Sequence, residues 1–247
     1  MGKRGNEMKA IILCGGEGTR LRPYTYNAPK PMLKLGNRPI LEYVLLNLKR
    51  NGFKEFIFTV GYLSDQIQEY FGDGSRFDVS IEYYVEKERL NTAGSVLQAK
   101  DIIDDTFFVG MGDQVTGIDV KEMLNFHKMK SNIATLGLKM QSTPYEYGIV
   151  EIDSNDHVEN FKEKPILTSF INSGMYLFEP TIFDYIRNKE DFAKDVFPRL
   201  LNEGKKISAY KFNEFWADIG RVHDYETMNN SMSVIELSMS LNNSIKK

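Results

Sequence analysis

The chain has a single cysteine, Cys14, so no disulfide can form within it. No apolar run approaches the roughly 20 residues that a bilayer-spanning helix requires. Positive charge is not in excess: the formal net charge is -3. Lys, Arg, Asp and Glu are intermingled, which leaves no basic face of the kind that tracks a nucleic-acid backbone. The opening MGKRGNE is polar and runs directly into a strand-like segment, unlike a secretory leader. These absences predict a cytoplasmic protein with neither a membrane nor a nucleic-acid partner. His127, His157 and His223 lack the paired spacing of a zinc site and are expected at the surface. No internal repeat, linker or Ser-His-Asp arrangement is visible.

What remains is an ordinary globular composition, 42% hydrophobic and 26% charged, sufficient for a substantial core. Residues 1–7 read as a flexible extension and residues 8–247 as one domain. Residues 9–14 (KAIILC) form a short apolar run ending in Gly15-Gly16, the profile of a buried parallel strand feeding a glycine turn. Residues 38–51 carry Ile40, Leu41, Val44, Leu45 and Leu48 at helical spacing, with Gly52 as the stop signal. Strands are then expected at 56–60, 80–85, 106–110 and 133–139, and helices at 64–71, 94–103 and 120–130. Repeated strand-helix units predict a doubly wound, mostly parallel, Rossmann-like α/β sheet with helices on both faces. From Tyr147 onward shorter strands predict a small mixed β extension beside that sheet, and residues 224–247 read as a terminal helix, a candidate route to a homodimer. In such a sheet ligands bind beyond the carboxyl ends of the strands, so the residues that follow strands carry the argument.

The strongest local pattern is Gly15-Gly16-Glu17-Gly18-Thr19-Arg20, directly after the first strand. Glycines let the backbone approach an anion, successive amides in such a loop cradle phosphate oxygens, and the Arg20 guanidinium matches a phosphate. The spacing is neither the G-x-G-x-x-G dinucleotide fingerprint nor a Walker A loop. Pro29-Lys30-Pro31 then holds a lysine between two residues that keep the backbone extended. Alone, Lys30 would read as a solvated surface residue; beside the glycine loop it reads as a phosphate ligand. Asp113 follows a strand and Asp218 precedes Ile219-Gly220; two carboxylates with substrate phosphates suffice for magnesium, which prefers hard oxygen ligands. Each aspartate alone would read as a cap or turn residue. Cys14 reads as a small core side chain.

The stretch from Gly15 to Met32, Gly-Gly-x-Gly-Thr-Arg-Leu-x-Pro-x-Thr-x-x-x-Pro-Lys-Pro-Met, resembles the signature of the sugar-nucleotide pyrophosphorylases, a family of sugar-1-phosphate nucleotidyltransferases. Further landmarks follow in order: Thr92-Ala93-Gly94, Gly112-Asp113, Tyr147-Gly148, Glu163-Lys164-Pro165, Asn172-Ser173-Gly174 and Trp216-Ala217-Asp218. Asn91 stands where the family usually has glycine. The resemblance implies transfer of a nucleotidyl group from a nucleoside triphosphate to a sugar 1-phosphate, with Mg2+ as cofactor and pyrophosphate as the second product. Arg20, Lys30 and Asp113 are the implied catalytic residues and Asp113 and Asp218 the implied metal ligands. Leu13, Gly15, Gly16, Gly18, Thr19, Arg20, Glu86, Thr92, Ala93 and Gly94 would surround the nucleotide. Tyr147, Gly148, Glu163, Lys164 and Asn172 would hold the sugar phosphate. No left-handed β-helix of the kind that many relatives append is expected after Asp218.

Glu86 aligns with a position where the family often has glutamine. A carboxylate only accepts hydrogen bonds, which fits the adjacent N1–H and N2–H donors of guanine. Guanine, and so GTP, is therefore the expected base, and the resemblance implies mannose 1-phosphate, the commonest partner of guanylyl transfer in the family, with heptose and glucose phosphates open. Open alternatives are a solvated Glu86 with uridylyl or thymidylyl transfer to glucose 1-phosphate or a related sugar, and a non-catalytic paralogue that binds a sugar nucleotide. A glycosyltransferase would more typically show an Asp-x-Asp motif, which is absent near Asp113.

Overall fold

A computed structural model describes residues 8–232. The elements run β1 (Lys9–Cys14), β2 (Lys34–Leu35), β3 (Arg38–Pro39), α1 (Ile40–Arg50), β4 (Glu55–Val60), α2 (Ser64–Phe71), β5 (Ser80–Val85) and α3 (Asn91–Leu97). After these come β6 (Phe107–Met111), β7 (Gln114–Thr116), α4 (Val120–Lys130), β8 (Ala134–Pro144), β9 (Ile149–Ile152), β10 (Val158–Lys162) and β11 (Ile166–Phe178). The described chain finishes with α5 (Phe197–Asn202), β12 (Ile207–Phe212), β13 (Trp216–Asp218) and α6 (Val222–Asn230).

The apolar run of β1 is continuous because both of its faces are covered. Ala10, Ile12 and Cys14 point into a core shared with Leu41, Leu45 and Phe58, whereas Ile11 points the other way, against Ala93, Val96 and Phe107. Side chains alternate along a strand, so a strand with helices on both sides shows no polar alternation. β4 repeats the pattern, with Phe56, Phe58 and Val60 on the first face and Ile57 on the second. A third cluster, with Leu21, Leu35, Ile40, Val115, Ile219 and Met228, ties the glycine-loop region to β13 and α6.

The main sheet has seven strands in the order β12-β8-β11-β6-β1-β4-β5. β1 pairs in parallel with both β4 and β6, β4 with β5, and β8 with β12. β11 runs antiparallel to both of its neighbours, β6 and β8. The chain leaves β1 toward β5 on one side and returns to β6 on the other, which places the topological switch point at the carboxyl end of β1.

Two expectations need correction here. β11 and β12 do not lie in an extension; the second half of β11 and all of β12 are strands of the main sheet. Only the outer halves of β8 and β11, with the separate β9–β10 pair, project as an arm, and a bulge between Asn172 and Tyr176 marks where β11 changes role. The helix expected at 94–103 instead starts at Asn91 and ends at Leu97. Its early amides, of Ala93 and Gly94, donate to the Glu190 carbonyl at 3.0 and 3.1 Å, a tertiary cap from a distant part of the chain. Of the expected terminal helix only α6 lies within the described residues; the remainder, with the dimer reading placed on it, and the 1–7 extension fall outside them.

His127 is a further correction, being only 1% exposed. Its Nδ1 lies 2.7 Å from Thr135 Oγ1 and its Nε2 2.9 Å from Glu179 Oε1, so both ring nitrogens keep partners when α4 packs on the sheet. Cys14 is buried, as expected of a core thiol. Among the described residues no helix is long and apolar enough to cross a membrane, and no left-handed β-helix is present.

Candidate active site

A cavity of 690 Å³ opens at the carboxyl ends of β1, β4, β5 and β6, a usual size for a small-molecule site. The glycine loop forms one wall. Gly18 sits in the left-handed region, with φ +61°, where an added Cβ would lie 2.9 Å from Thr25 Cγ2. Thr25 Oγ1 in turn donates to the Gly18 carbonyl at 2.8 Å, and Tyr62 Oη donates to the Thr25 carbonyl at 3.1 Å. The loop is thus pinned from beneath while Gly16 and Thr19 stay exposed.

At the opposite wall Glu86 follows β5, its amide held by the Val60 carbonyl at 2.7 Å. An added Cβ at Gly15 would lie 3.0 Å from Glu86 Oε2, so glycine at this position is what admits the carboxyl to the floor of the loop. Glu86 is half-buried rather than solvated. Burial pushes its carboxyl above the usual glutamate range, against hydrogen bonds from Ser95 and the Leu90 amide that pull it down.

Asp113 lies in the turn between β6 and β7, and Asp218 ends β13. Antiparallel pairing sets Gln114 opposite Asp218, and the Ile219 amide donates to the Asp113 carbonyl at 3.3 Å, so the two carboxylates are brought together by backbone. The Lys30 ammonium, largely buried, is paired with Asp113 and lies 3.7 Å from Asp218 Oδ1. Burial, then the neighbouring Asp113, push the Asp218 carboxyl above its ordinary value, while Lys30 and Arg20 oppose that rise. The lysine bridges the two acids rather than standing free toward the glycine loop.

Leu13, Gly15, Gly16, Gly18, Thr19, Arg20, Lys30, Glu86, Thr92 and Asp113 all line the cavity, and Asp218 joins them through Lys30. Ala93 and Gly94 do not line it; they lie behind its wall and pack α3 against residues 189–190, where an added Cβ at Gly94 would lie 2.8 Å from the Lys189 amide nitrogen. Asn172 sits at the β11 bulge, donating to Tyr176 Oη at 2.9 Å and accepting from the Gly174 amide at 3.1 Å. An added Cβ at Gly174 would lie 3.0 Å from Met111, a cavity residue, so the bulge stands beside the site. Gly148 and Glu163 meet each other on the arm, where Tyr147 and Lys164 are exposed, and none of the four lines the cavity.

Sequence reading missed Thr59, Tyr62, Ser95 and Asp191, all of which line the cavity. Thr59 and Tyr62 stand at the end of β4 and were within reach of the rule that ligands gather after strands. Asp191 carries no local signal; it arrives through its bond with Thr92 Oγ1 at 3.0 Å.

Sheet and cavity define a doubly wound α/β protein whose site sits at the switch point, with glycine-loop backbone, basic side chains and paired carboxylates converging there. The chain belongs to the nucleotidyl transferase family, whose model matches residues 9–233. It is 37% identical over 238 residues to a UTP–glucose-1-phosphate uridylyltransferase of Synechocystis, covering 88% of this chain and 61% of that one. It is 35% identical over 226 residues to a mannose-1-phosphate guanylyltransferase of Mycobacterium tuberculosis, covering 89% and 63% respectively. The chain therefore spans a little over three fifths of the length of these curated relatives. Among solved structures, HddC from Yersinia pseudotuberculosis complexed with GMP-PN matches with a TM-score of 0.73 at 25% identity, over 91% of this chain and 99% of that one.

Proposed function

We propose that this protein transfers a nucleotidyl group from GTP to a sugar 1-phosphate, with mannose 1-phosphate as the favoured acceptor, releasing pyrophosphate. The observation that carries the choice of base is the Glu86 carboxyl on the cavity floor against Gly15, where two acceptor oxygens suit the two adjacent donors of guanine. The similarity to a guanylyltransferase and to a protein solved with GMP-PN supports that reading. A uridylyl reading is favoured by one observation, the 37% identity to the Synechocystis uridylyltransferase.

The residues also fit a divalent cation. Asp113 and Asp218 offer hard oxygen donors beside a cation that the protein itself supplies, the Lys30 ammonium. Two carboxylates are enough for magnesium, which completes its shell with phosphate oxygens and water. Asp113 and Asp218 would hold it, and bound there it would supply positive charge to the reacting phosphates.

The chain's own part is positioning and charge. The glycine loop receives the triphosphate, and Arg20, exposed at its rim, neutralises the departing pyrophosphate. Lys30, the largely buried ammonium beside Asp113 and Asp218, would stabilise the charge that develops on the reacting phosphate. The sugar phosphate oxygen attacks the α-phosphorus in line, without a covalent enzyme intermediate. Asn172 at the bulge, with Gly148, Glu163, Lys164 and Tyr147 on the arm, would hold the sugar phosphate. The test is initial-rate pyrophosphate release with GTP, UTP and dTTP against mannose and glucose 1-phosphates. The highest kcat/KM is expected for GTP with mannose 1-phosphate; a preference for UTP or dTTP would overturn the reading of Glu86.

A further inference from the structure

Two arginines line the cavity, Arg20 and Arg89. Arg20 belongs to the glycine loop after β1, whereas Arg89 lies on the wall that follows β5, two strands away. It stands three residues after Glu86, in the short segment between β5 and α3. A guanidinium carries five N–H donors in a planar fork, with Nε on the stem and two nitrogens at the tip. In Arg89 the Nε–H is spent on Asn91 Oδ1 at 3.0 Å, its one polar contact among the described residues. The donors at the tip are left for a ligand.

Asn91 fixes this arrangement. Its backbone is left-handed, with φ +58°, a conformation that asparagine tolerates. Its Nδ2 donates to the Lys189 carbonyl at 2.8 Å. A carbonyl can only accept, so the nitrogen of the Asn91 amide must face Lys189 and its oxygen is turned to Arg89. Glycine, usual at this position in the family, has no side chain with which to make either bond. The other charged groups of the wall are arranged differently. Glu88 pairs with Lys189 at 2.8 Å, Asp191 accepts from Thr92, and exposed Lys87 ends in a point charge rather than a fork. Glu86 accepts from Ser95 at 2.5 Å and is not ion-paired with Arg89. Acid and fork therefore stand apart along one wall, and the carboxylate keeps lone pairs beyond the one that Ser95 uses.

Guanine presents, in order around its rim, the N2–H and N1–H donors and then the O6 and N7 acceptors. The two oxygens of Glu86 suit the donors, and the paired nitrogens of a guanidinium tip suit O6 and N7. We infer that Arg89, oriented by Asn91, is a second base-reading residue, donating to O6 and N7 of a guanine whose N1–H and N2–H face Glu86. This rests on the guanine reading of the cavity. Adenine places an amino donor where guanine has O6, and uracil and thymine have no N7, so each meets the fork with one acceptor at most. Asn91 acts through Arg89 and is a positioning residue.

The experiment is equilibrium binding to the full chain of GTP, UTP and two analogues: 7-deaza-GTP, in which a C–H replaces N7, and ITP, which lacks the 2-amino group. The wild-type protein should bind 7-deaza-GTP about tenfold more weakly than GTP, equivalent to about 1.4 kcal/mol, the scale of one hydrogen bond to a charged group. Arg89→Ala should bring that ratio to about one while leaving the GTP-to-ITP ratio unchanged. Glu86→Gln should do the reverse, abolishing the penalty for ITP and keeping the penalty for 7-deaza-GTP. Asn91→Gly accepts the left-handed backbone but frees Nε, so it should lower the GTP-to-7-deaza-GTP ratio alone. Equal binding of GTP and 7-deaza-GTP by the wild type, or an undiminished ratio in Arg89→Ala, overturns the inference and leaves the guanine reading in place. Tighter binding of UTP than of GTP, or no binding of GTP, contradicts that reading and the inference together.

Discussion

The carboxyl end of the parallel sheet and the projecting arm are both built on β-strands, but they are held in different ways. At the sheet end three of the proposed functional groups have partners that fix them: Gly18 is held by Thr25, Glu86 by Ser95, and Lys30 by Asp113. On the arm the strands pair only with each other and the side chains face outward, with Tyr147 79% and Phe161 60% exposed. The first region is preorganised by a core on both faces, as charge stabilisation requires. The second has little to hold it in one place, which would suit the acceptor-binding role proposed for it.

The largest expected effect tests the rigid half. Phe178 is wholly buried and stacks on Phe192 with ring centroids 4.9 Å apart. Phe178→Ala should lower unfolding free energy by about 3–5 kcal/mol, read in a urea titration. Next, Asp113→Ala should reduce pyrophosphate release by roughly 100- to 1000-fold, the scale on which loss of one preorganised charge-stabilising group is felt, with little change in melting temperature. On the arm, Lys164→Ala should raise KM for the sugar 1-phosphate by about tenfold, equivalent to about 1.4 kcal/mol, and leave KM for the nucleotide unchanged. The smallest effect falls on arm stability: Phe161→Ala should shift unfolding free energy by no more than about 0.5 kcal/mol. If Phe161→Ala proved as costly as Phe178→Ala, the contrast between the two regions would collapse.

The same contrast governs what could be read from sequence. β1 and β4 were legible because burial on both faces leaves an unbroken apolar run, and the loop after β1 was legible because its glycines follow such a strand at once. The limits of α2, β5 and α4 agree with local periodicity. What failed depends on distant contacts. α3 begins at Asn91 because Glu190 caps it, and His127 is buried because Thr135 and Glu179 meet its ring. β11 crosses from arm to sheet through a bulge that periodicity does not show. Within the site, Lys30 was expected to face phosphate, but its bridge between Asp113 and Asp218 depends on β7–β13 pairing, which no local pattern encodes. Ser95 was passed over because a serine within a small-residue segment carries no signal until Glu86 is placed against it.

The central claim, that the rigid sheet end carries out nucleotidyl transfer, is tested most directly by phosphorus NMR of GTP, mannose 1-phosphate and magnesium incubated with the protein. The account predicts that the triphosphate and sugar-phosphate resonances are replaced by those of a nucleoside diphosphate sugar and pyrophosphate, and that Asp113→Ala leaves the starting spectrum nearly unchanged. An unaltered spectrum with the wild-type protein, or equal conversion by Asp113→Ala, would contradict it.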